Sequence, residues 1–253
     1  MYNFLDFTGK KIVVTGASSG IGRQTAITLS RLGAQLILIA RRENLLEETI
    51  GMLEGEGHSY YVADLGIVSE IEPLVKRIIS EQGKTDGLVY AAGVSVTLPT
   101  SMSNYEKCMS AFNVNYFAFI EAVRHFTRKG RFNEGMRIVG ISSIAAIRGD
   151  KSQVIYSGTK AAMDGSVRSM AKELAEKGIC INTIMPAYTD TPMMRNFMKN
   201  FIPDFDGNIV LDRQFLGPCL PEDIANTAAF LLSPASRMIT GTSIAVDGGT
   251  LSN

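Results

Sequence analysis

Short runs of β-branched and other apolar residues alternate along the chain with longer stretches whose apolar positions recur at helical spacing. Ile12-Val13-Val14, Leu36-Ile37-Leu38-Ile39, Tyr60-Tyr61-Val62, Leu88-Val89, Ile138-Val139-Gly140-Ile141, Ile181-Asn182-Thr183-Ile184 and Ile244-Ala245-Val246 predict strands. Most are apolar at consecutive positions, the mark of strands covered on both faces. Helices are predicted over roughly 21–32, 43–54, 69–82, 103–128, 154–177 and 222–232. In the third of these, Ile71, Leu74, Val75, Ile78 and Ile79 form one core-facing stripe. Such alternation builds a parallel sheet through right-handed crossovers. With no repeat, low-complexity tract or linker, the pattern predicts an α/β fold over 1–253, a single doubly wound domain of about seven strands with helices on both faces.

The segment from Tyr188 to Leu220 breaks this rhythm. It holds no clean strand and is punctuated by Pro192, Pro203, Gly207, Gly217 and Pro218. Connections of this length in compact domains are lids, binding loops or disordered tracts. Met193, Met194, Phe197, Met198, Phe201, Ile202 and Phe205 give it too much apolar mass for plain disorder. Two readings stand: a small helix pair packed on the core, or a mobile hydrophobic cap over a substrate.

Composition narrows the function. Of 253 residues, 45% are hydrophobic and 20% charged, the balance of a globule with a substantial core. Lys plus Arg is 25 and Asp plus Glu is 25. The absent basic excess argues against nonspecific nucleic-acid or anionic-membrane binding. Cys108, Cys180 and Cys219 are scattered and, with only His58 and His125, make no metal constellation. They read as small buried hydrophobes in a reducing compartment. Met1 to Lys11 shows no secretory pattern. No apolar run approaches the ~20 residues that span a bilayer. A cytoplasmic protein is expected.

The first strand runs into Thr15-Gly16-Ala17-Ser18-Ser19-Gly20-Ile21-Gly22 and then a helix. Glycines there let the chain turn tightly and let backbone N–H groups approach a pyrophosphate at the helix N-terminus. The spacing is Gly-x-x-x-Gly-x-Gly, a variant of the general dinucleotide fingerprint, and the position at the chain start suits a Rossmann fold. The second strand ends in Ala40-Arg41-Arg42 with no acid before Glu43. An acid at that end selects NAD through the ribose 2′-hydroxyl, whereas an Arg suits a 2′-phosphate. Arg41 therefore predicts NADP, and Arg42 reads as the solvated start of the next helix. Asp64, ending the third strand, is the expected partner of the adenine amino group.

Tyr156 and Lys160 stand one helical turn apart on one face. Ser143 lies at the C-terminal end of the fifth strand, the edge where doubly wound folds bind ligands. Asn115 sits inside a predicted helix, where Asn is disfavoured without a reason. Together with the loop at 15–22, this set resembles the short-chain dehydrogenase/reductase family over essentially the whole chain. Tyr156-Ser157-Gly158-Thr159-Lys160 is similar to its Tyr-x-x-x-Lys motif, and Asn115 and Ser143 match the other two members of its tetrad. Pro186 and Thr191 match the ends of its Pro-Gly-x-x-x-Thr segment, and Val246-Asp247-Gly248-Gly249 its C-terminal strand ending. Two departures stand out. Tyr90-Ala91-Ala92-Gly93 replaces the usual Asn-Asn-Ala-Gly, removing amide bonds that tie neighbouring strands, and Ala187 replaces a Gly.

The resemblance implies cofactor contacts from Gly16, Ser18, Ser19, Gly20, Ile21, Gly22, Arg41, Asp64 and Leu65 on the adenosine side. It further implies cofactor contacts from Ala91, Ala92, Gly93, Tyr156, Lys160, Pro186, Thr189 and Thr191, with Thr191 at the nicotinamide carboxamide. Substrate contacts are expected from Ser95, Ser143 and Tyr188, and no metal is expected. A free Tyr has a pKa of ~10, too high for a base at neutral pH. A nearby Lys ammonium lowers it. Tyr156 is then the proton donor to a carbonyl oxygen, with hydride coming from NADPH. Ser143 positions that oxygen, Lys160 also holds the nicotinamide ribose, and Asn115 anchors a water that relays the proton.

The expected substrate is a hydrophobic carbonyl compound or an acyl thioester. Ile144, Ala145, Val96 and the apolar cap would form the wall, with Arg148 as an anchor for an acidic tail. The nearest look is to 3-oxoacyl-acyl-carrier-protein reductases. Those meet an acidic carrier through basic residues, where this chain has Glu134 and Lys177. A steroid, sugar or other secondary-alcohol dehydrogenase competes within the same chemistry. From another class, the rival is a non-catalytic NADP-sensing protein, which typically lacks the Tyr or the Lys. The resemblance further implies a homotetramer, and the aromatic residues Tyr105, Phe112, Tyr116, Phe117, Phe119 and Phe126 exceed what one core face needs.

Overall fold

The computed structural model describes residues 3–201 and 214–252. Seven parallel strands make one sheet in the order β3-β2-β1-β4-β5-β6-β7. They are β1 Lys11–Thr15, β2 Gln35–Ala40, β3 Ser59–Val62, β4 Thr85–Tyr90, β5 Phe132–Ile141, β6 Cys180–Pro186 and β7 Ser243–Val246. The chain runs outward from β1 through β2 to β3, then returns across it to β4. This makes a switch point between β1 and β4, where the crevice of such folds opens. Val13 pairs Ile37 on one side and Leu88 on the other.

Apolar runs arise because each strand feeds two cores. Val13, Ile37, Leu88, Ile138 and Ile181 face one layer, with Ile71, Val75 and Ile78 of α3 (Ile71–Gln82) and Met163 and Val167 of α6 (Val154–Ala175). Val14, Leu36, Leu38, Val89, Val139 and Ile184 face the other layer. That layer holds Ala26 and Leu29 of α1 (Gly20–Arg31), Leu46 of α2 (Glu43–Ile50) and Ile224 and Ala228 of α8 (Pro221–Leu232). Among the described residues, no helix is long and apolar enough to cross a membrane.

Three elements differ from the reading of the sequence. The helix expected over 103–128 is broken into α4 (Tyr105–Phe112), a π-turn (Asn113–Phe117) and α5 (Ala118–Phe126). The fifth strand starts earlier than expected, at Phe132, because Asn133, Glu134 and Gly135 interrupt the hydrophobic signal ahead of its buried stretch. The helix after Arg42 stops at Ile50, before Gly51. In the irregular segment, α7 (Pro192–Phe201) forms behind Thr191, whose Oγ1 accepts the Met194 N–H at 3.2 Å. Ile202, Pro203, Phe205 and Gly207 of the expected cap lie outside the described residues.

Candidate active site

Backbone has to pass very close to backbone where β1 gives way to α1. Gly16 has a φ of +66°, and a Cβ there would stand 2.8 Å from the Ala91 carbonyl and the Ala92 nitrogen. A side chain at Gly22 would run into the Gly16 carbonyl. Thr15 Oγ1 accepts both the Ala91 and the Ala92 N–H at 3.1 Å. This hydroxyl ties β1 to the end of β4 in a segment that lacks the Asn amides. Tyr90 does a second part of that work: fully buried, it donates its hydroxyl to the Val114 carbonyl at 2.6 Å.

Ser19 caps α1 in extended geometry, yet its hydroxyl accepts nothing from the first turn. Arg42 takes it instead. One of its guanidinium nitrogens donates to Ser18 Oγ at 3.1 Å and to Ser19 Oγ at 3.0 Å. Arg42 is therefore no mere solvated helix start, as expected from sequence, but a cation laid across the glycine-rich turn. It was missed because the first residue of a surface helix is ordinarily solvated. Arg41 reaches the other way, to 3.9 Å from Asp64, whose other oxygen accepts the Gly66 N–H at 2.9 Å.

These residues rim a cavity of about 960 Å³ along the C-terminal edge of the sheet. Every residue expected to contact the cofactor lines it, from Gly16 to Thr191, as do Ser95, Tyr188, Ile144, Ala145 and Arg148 of the expected substrate wall; Val96 of that wall does not. Of the proposed tetrad, Ser143, Tyr156 and Lys160 line it as well. Asn115 does not. Wholly buried on the π-turn, it accepts the Val94 N–H at 2.8 Å and donates to the Val94 carbonyl at 2.9 Å and to Thr159 Oγ1 at 3.0 Å. It thus clamps the segment after β4 that forms the cavity wall to α6. A Cβ on Gly93 would meet Asn115 Oδ1 at 3.3 Å and Lys160 Nζ at 3.6 Å, so glycine is what lets this wall approach the lysine.

Lys160 donates to the Ile141 carbonyl at 2.7 Å, and its Nζ lies 5.7 Å from the centre of the Tyr156 ring. Burial pushes the ammonium down to about 8, against the opposing pull of the Asp164 carboxylate. Burial also pushes the Tyr156 phenol above its ordinary value, a hydrogen bond with Ser143 opposing. The expected lowering by Lys160 does not enter: desolvation prevails, with only the Ser143 hydrogen bond opposing it, and the phenol holds its proton at neutral pH.

A family model described as enoyl-(acyl carrier protein) reductase matches residues 16–250. L-xylulose reductase from Mus musculus is 34% identical over 250 residues, covering 98% of each chain. The chain belongs to the short-chain dehydrogenase/reductase family. The 3-oxoacyl-[acyl-carrier-protein] reductase FabG of Rickettsia conorii is 32% identical over 249 residues, covering 98% of this chain and 99% of the other. A solved structure of a putative NAD(P)-dependent gluconate 5-dehydrogenase from Beutenbergia cavernae, with NADP bound, superimposes with a TM-score of 0.87. It is 27% identical and covers 99% of this chain and 100% of that one. This short-chain dehydrogenase/reductase is accordingly an oxidoreductase that uses a nicotinamide cofactor.

The end of the cavity beside α7 mixes apolar and polar groups. Met193, Met194 and Phe197 of α7 share the cavity with Arg148, Asp150, Gln153 and Asn196. Arg148 lies 3.3 Å from Asp150, so its charge is already partnered. Tyr188 is buried, and among the described residues its hydroxyl has no hydrogen-bond partner. Among the described residues, no group of three or more His, Cys, Asp or Glu is placed to hold a metal ion.

Proposed function

We propose that this chain is an NADP(H)-dependent oxidoreductase that interconverts a carbonyl and a secondary alcohol. The observation that carries the reading is the meeting of Ser143, Tyr156 and Lys160 in the same cavity as the glycine-rich turn. The cradle formed by Gly16 and Gly22 and the uncapped first turn of α1 fit a dinucleotide diphosphate. Arg42 and Arg41 are the cations available to a ribose 2′-phosphate. Leu65, Ala91 and Ala92 flank the adenosine side, while Thr189 and Thr191 face the nicotinamide. The cofactor supplies the hydride chemistry.

What the chain adds is proton and charge management. Tyr156, kept protonated by burial, is poised to donate to a carbonyl oxygen as that oxygen gains charge. Ser143 hydrogen-bonds the same oxygen and fixes its distance from the phenol. The Lys160 ammonium stabilises the phenolate left behind. Asn115 holds the Val94 wall and, through Thr159, the helix that carries both groups.

A substrate with a second oxygen or similar polar group suits the buried Tyr188 hydroxyl, which has no partner among the described residues. Both a 3-oxoacyl thioester and a sugar carry such a group. Two observations favour a small polar carbonyl compound over a carrier-bound acyl chain. Arg148 is paired with Asp150, and where basic residues would meet an acidic carrier the chain offers Glu134 beside the single Lys177. We propose a cytoplasmic homotetramer, since Tyr105 and Phe117 present exposed aromatic surface on α4 and the π-turn.

The test is NADPH oxidation with L-xylulose, an acetoacetyl thioester on acyl carrier protein, an alicyclic ketone and an enoyl thioester side by side. Turnover of any of the three carbonyl substrates supports the reading. Reduction of the enoyl thioester alone, or tight NADPH binding with no turnover of any, overturns it.

A further inference from the structure

One helical turn beyond Lys160, on the same face of α6, lies a carboxylate that the reaction as described does not use. Asp164 is 5% exposed. Ser142 Oγ donates to its Oδ2 at 2.9 Å and Thr183 Oγ1 to its Oδ1 at 2.6 Å. Ser243 Oγ stands 2.7 Å from Thr183 Oγ1, so two hydroxyls, from β6 and the end of β5, bond the acid and a third from β7 backs one of them. Ser142 also lies 3.4 Å from the Lys160 carbonyl and is the chain neighbour of Ser143. A buried carboxylate is costly unless hydrogen-bonded and matched by an opposite charge. The hydroxyls meet the first condition, and Lys160, buried one turn earlier, is the cation on this face of α6, without a direct ion-pair contact to the carboxylate.

Other charges do not compete for this role. β5 from Ile138 onward, β6, β7 and the π-turn carry no carboxylate and no cation. Glu106 and Lys107 of α4 are exposed, as is Arg168 one turn further along α6. Tyr116 of the π-turn is bonded to Ser166 at 2.9 Å, and Tyr156 is the remaining titratable group beside the lysine.

We propose that Asp164 is a positioning residue for the reaction: it is the counter-charge that keeps Lys160 an ammonium, and through Ser142 it locks the strand end that carries Ser143. The proposal rests on the reading of Tyr156 and Lys160 as the proton-handling pair. Its direction follows from electrostatics, since the carboxylate opposes the desolvation that drives the lysine toward its neutral form.

The experiment is the pH profile of kcat/KM for carbonyl reduction by the whole enzyme, with Asp164→Asn, Asp164→Ser and Asp164→Glu. The Ser variant keeps a hydrogen-bond acceptor without the charge. In both neutral variants the alkaline limb is expected to move to lower pH by roughly one unit or more, with about a tenfold loss near pH 8 that is regained near pH 6. The Glu variant is expected to hold the limb in place. A purely architectural role would lower the rate equally at all pH values. That result, an unmoved limb in folded neutral variants, or loss of the fold in both neutral variants while Glu folds, overturns the proposal. Tyr156→Phe in the same assay separates the two levels. If it retains turnover, the site reading itself fails; if it is dead while the limb stays put, the role of Asp164 alone fails.

Discussion

Tyr156 and Lys160 share one buried pocket, and desolvation pushes both toward their uncharged forms. For the tyrosine this serves reduction, because the neutral phenol is the form that gives up a proton. Tyr156→Phe is expected to lower turnover by about a thousandfold or more while NADPH affinity changes little, checked by steady-state kinetics beside a fluorescence titration. For the lysine the same burial sets a limit. With its ammonium pushed down to about 8, reduction should fall as pH rises through that value. The stability consequence has a definite sign. Between about 8 and the ordinary value of 10.5, the unfolded chain holds a proton that the folded chain has released, so stability rises with pH across that window. Relative to Lys160→Met, the wild-type protein is therefore expected to gain stability from pH 8 to 10, measured by chemical denaturation. At the other end of the cavity, Arg42→Ala should raise the KM for NADPH by roughly 10- to 100-fold, since hydrogen bonds to a charged group are worth ~1.5–3 kcal/mol. NADH should be affected much less. Equal effects on both cofactors would remove Arg42 from the 2′-phosphate.

At the level of elements, the π-turn is what aims Asn115. An α-helix continued through 113–117 would rotate that side chain off the Val94 backbone, to which it is bonded at both its oxygen and its nitrogen. The extra residue per turn is stabilised from outside the helix by Tyr90, whose hydroxyl takes the Val114 carbonyl. Tyr90→Phe leaves that buried carbonyl unpaired and is expected to cost ~1–3 kcal/mol in denaturant titrations. It should also lower turnover through Asn115 without changing cofactor affinity. The residue that replaces a family Asn thus ties β4 to the π-turn, while Thr15 supplies the strand-to-strand bond.

For the whole molecule, the parallel sheet brings the C-terminal ends of β1, β4, β5 and β6 to one edge, and there the loop at 15–22, Gly93, Ser143 and Pro186 meet. Residues from 16 to 191 reach one cavity by this route alone. The aromatic group of Phe112, Tyr116 and Phe117, with ring centroids 5.3 to 6.2 Å apart, sits on the face proposed for assembly. Light scattering at micromolar concentration is expected to give a tetramer, and a monomer there would remove that proposal.

Local rules were enough for the strands, most helices, the glycine-rich turn and the Tyr156–Lys160 pair, because hydrophobic period, glycine spacing and an i, i+4 step are properties of neighbouring residues. Arg42, Asp164 and the π-turn were not legible in that way. Arg42 matters because β2 ends beside the turn after β1, and Asp164 because β6 and the residue following β5 deliver hydroxyls to it. The break at 113–117 depends on a tyrosine 24 positions earlier in the chain. Each is a pairing of distant segments, so hydrophobic pattern and local spacing determine which residues are available for the site, and only the packed sheet decides which charge faces which.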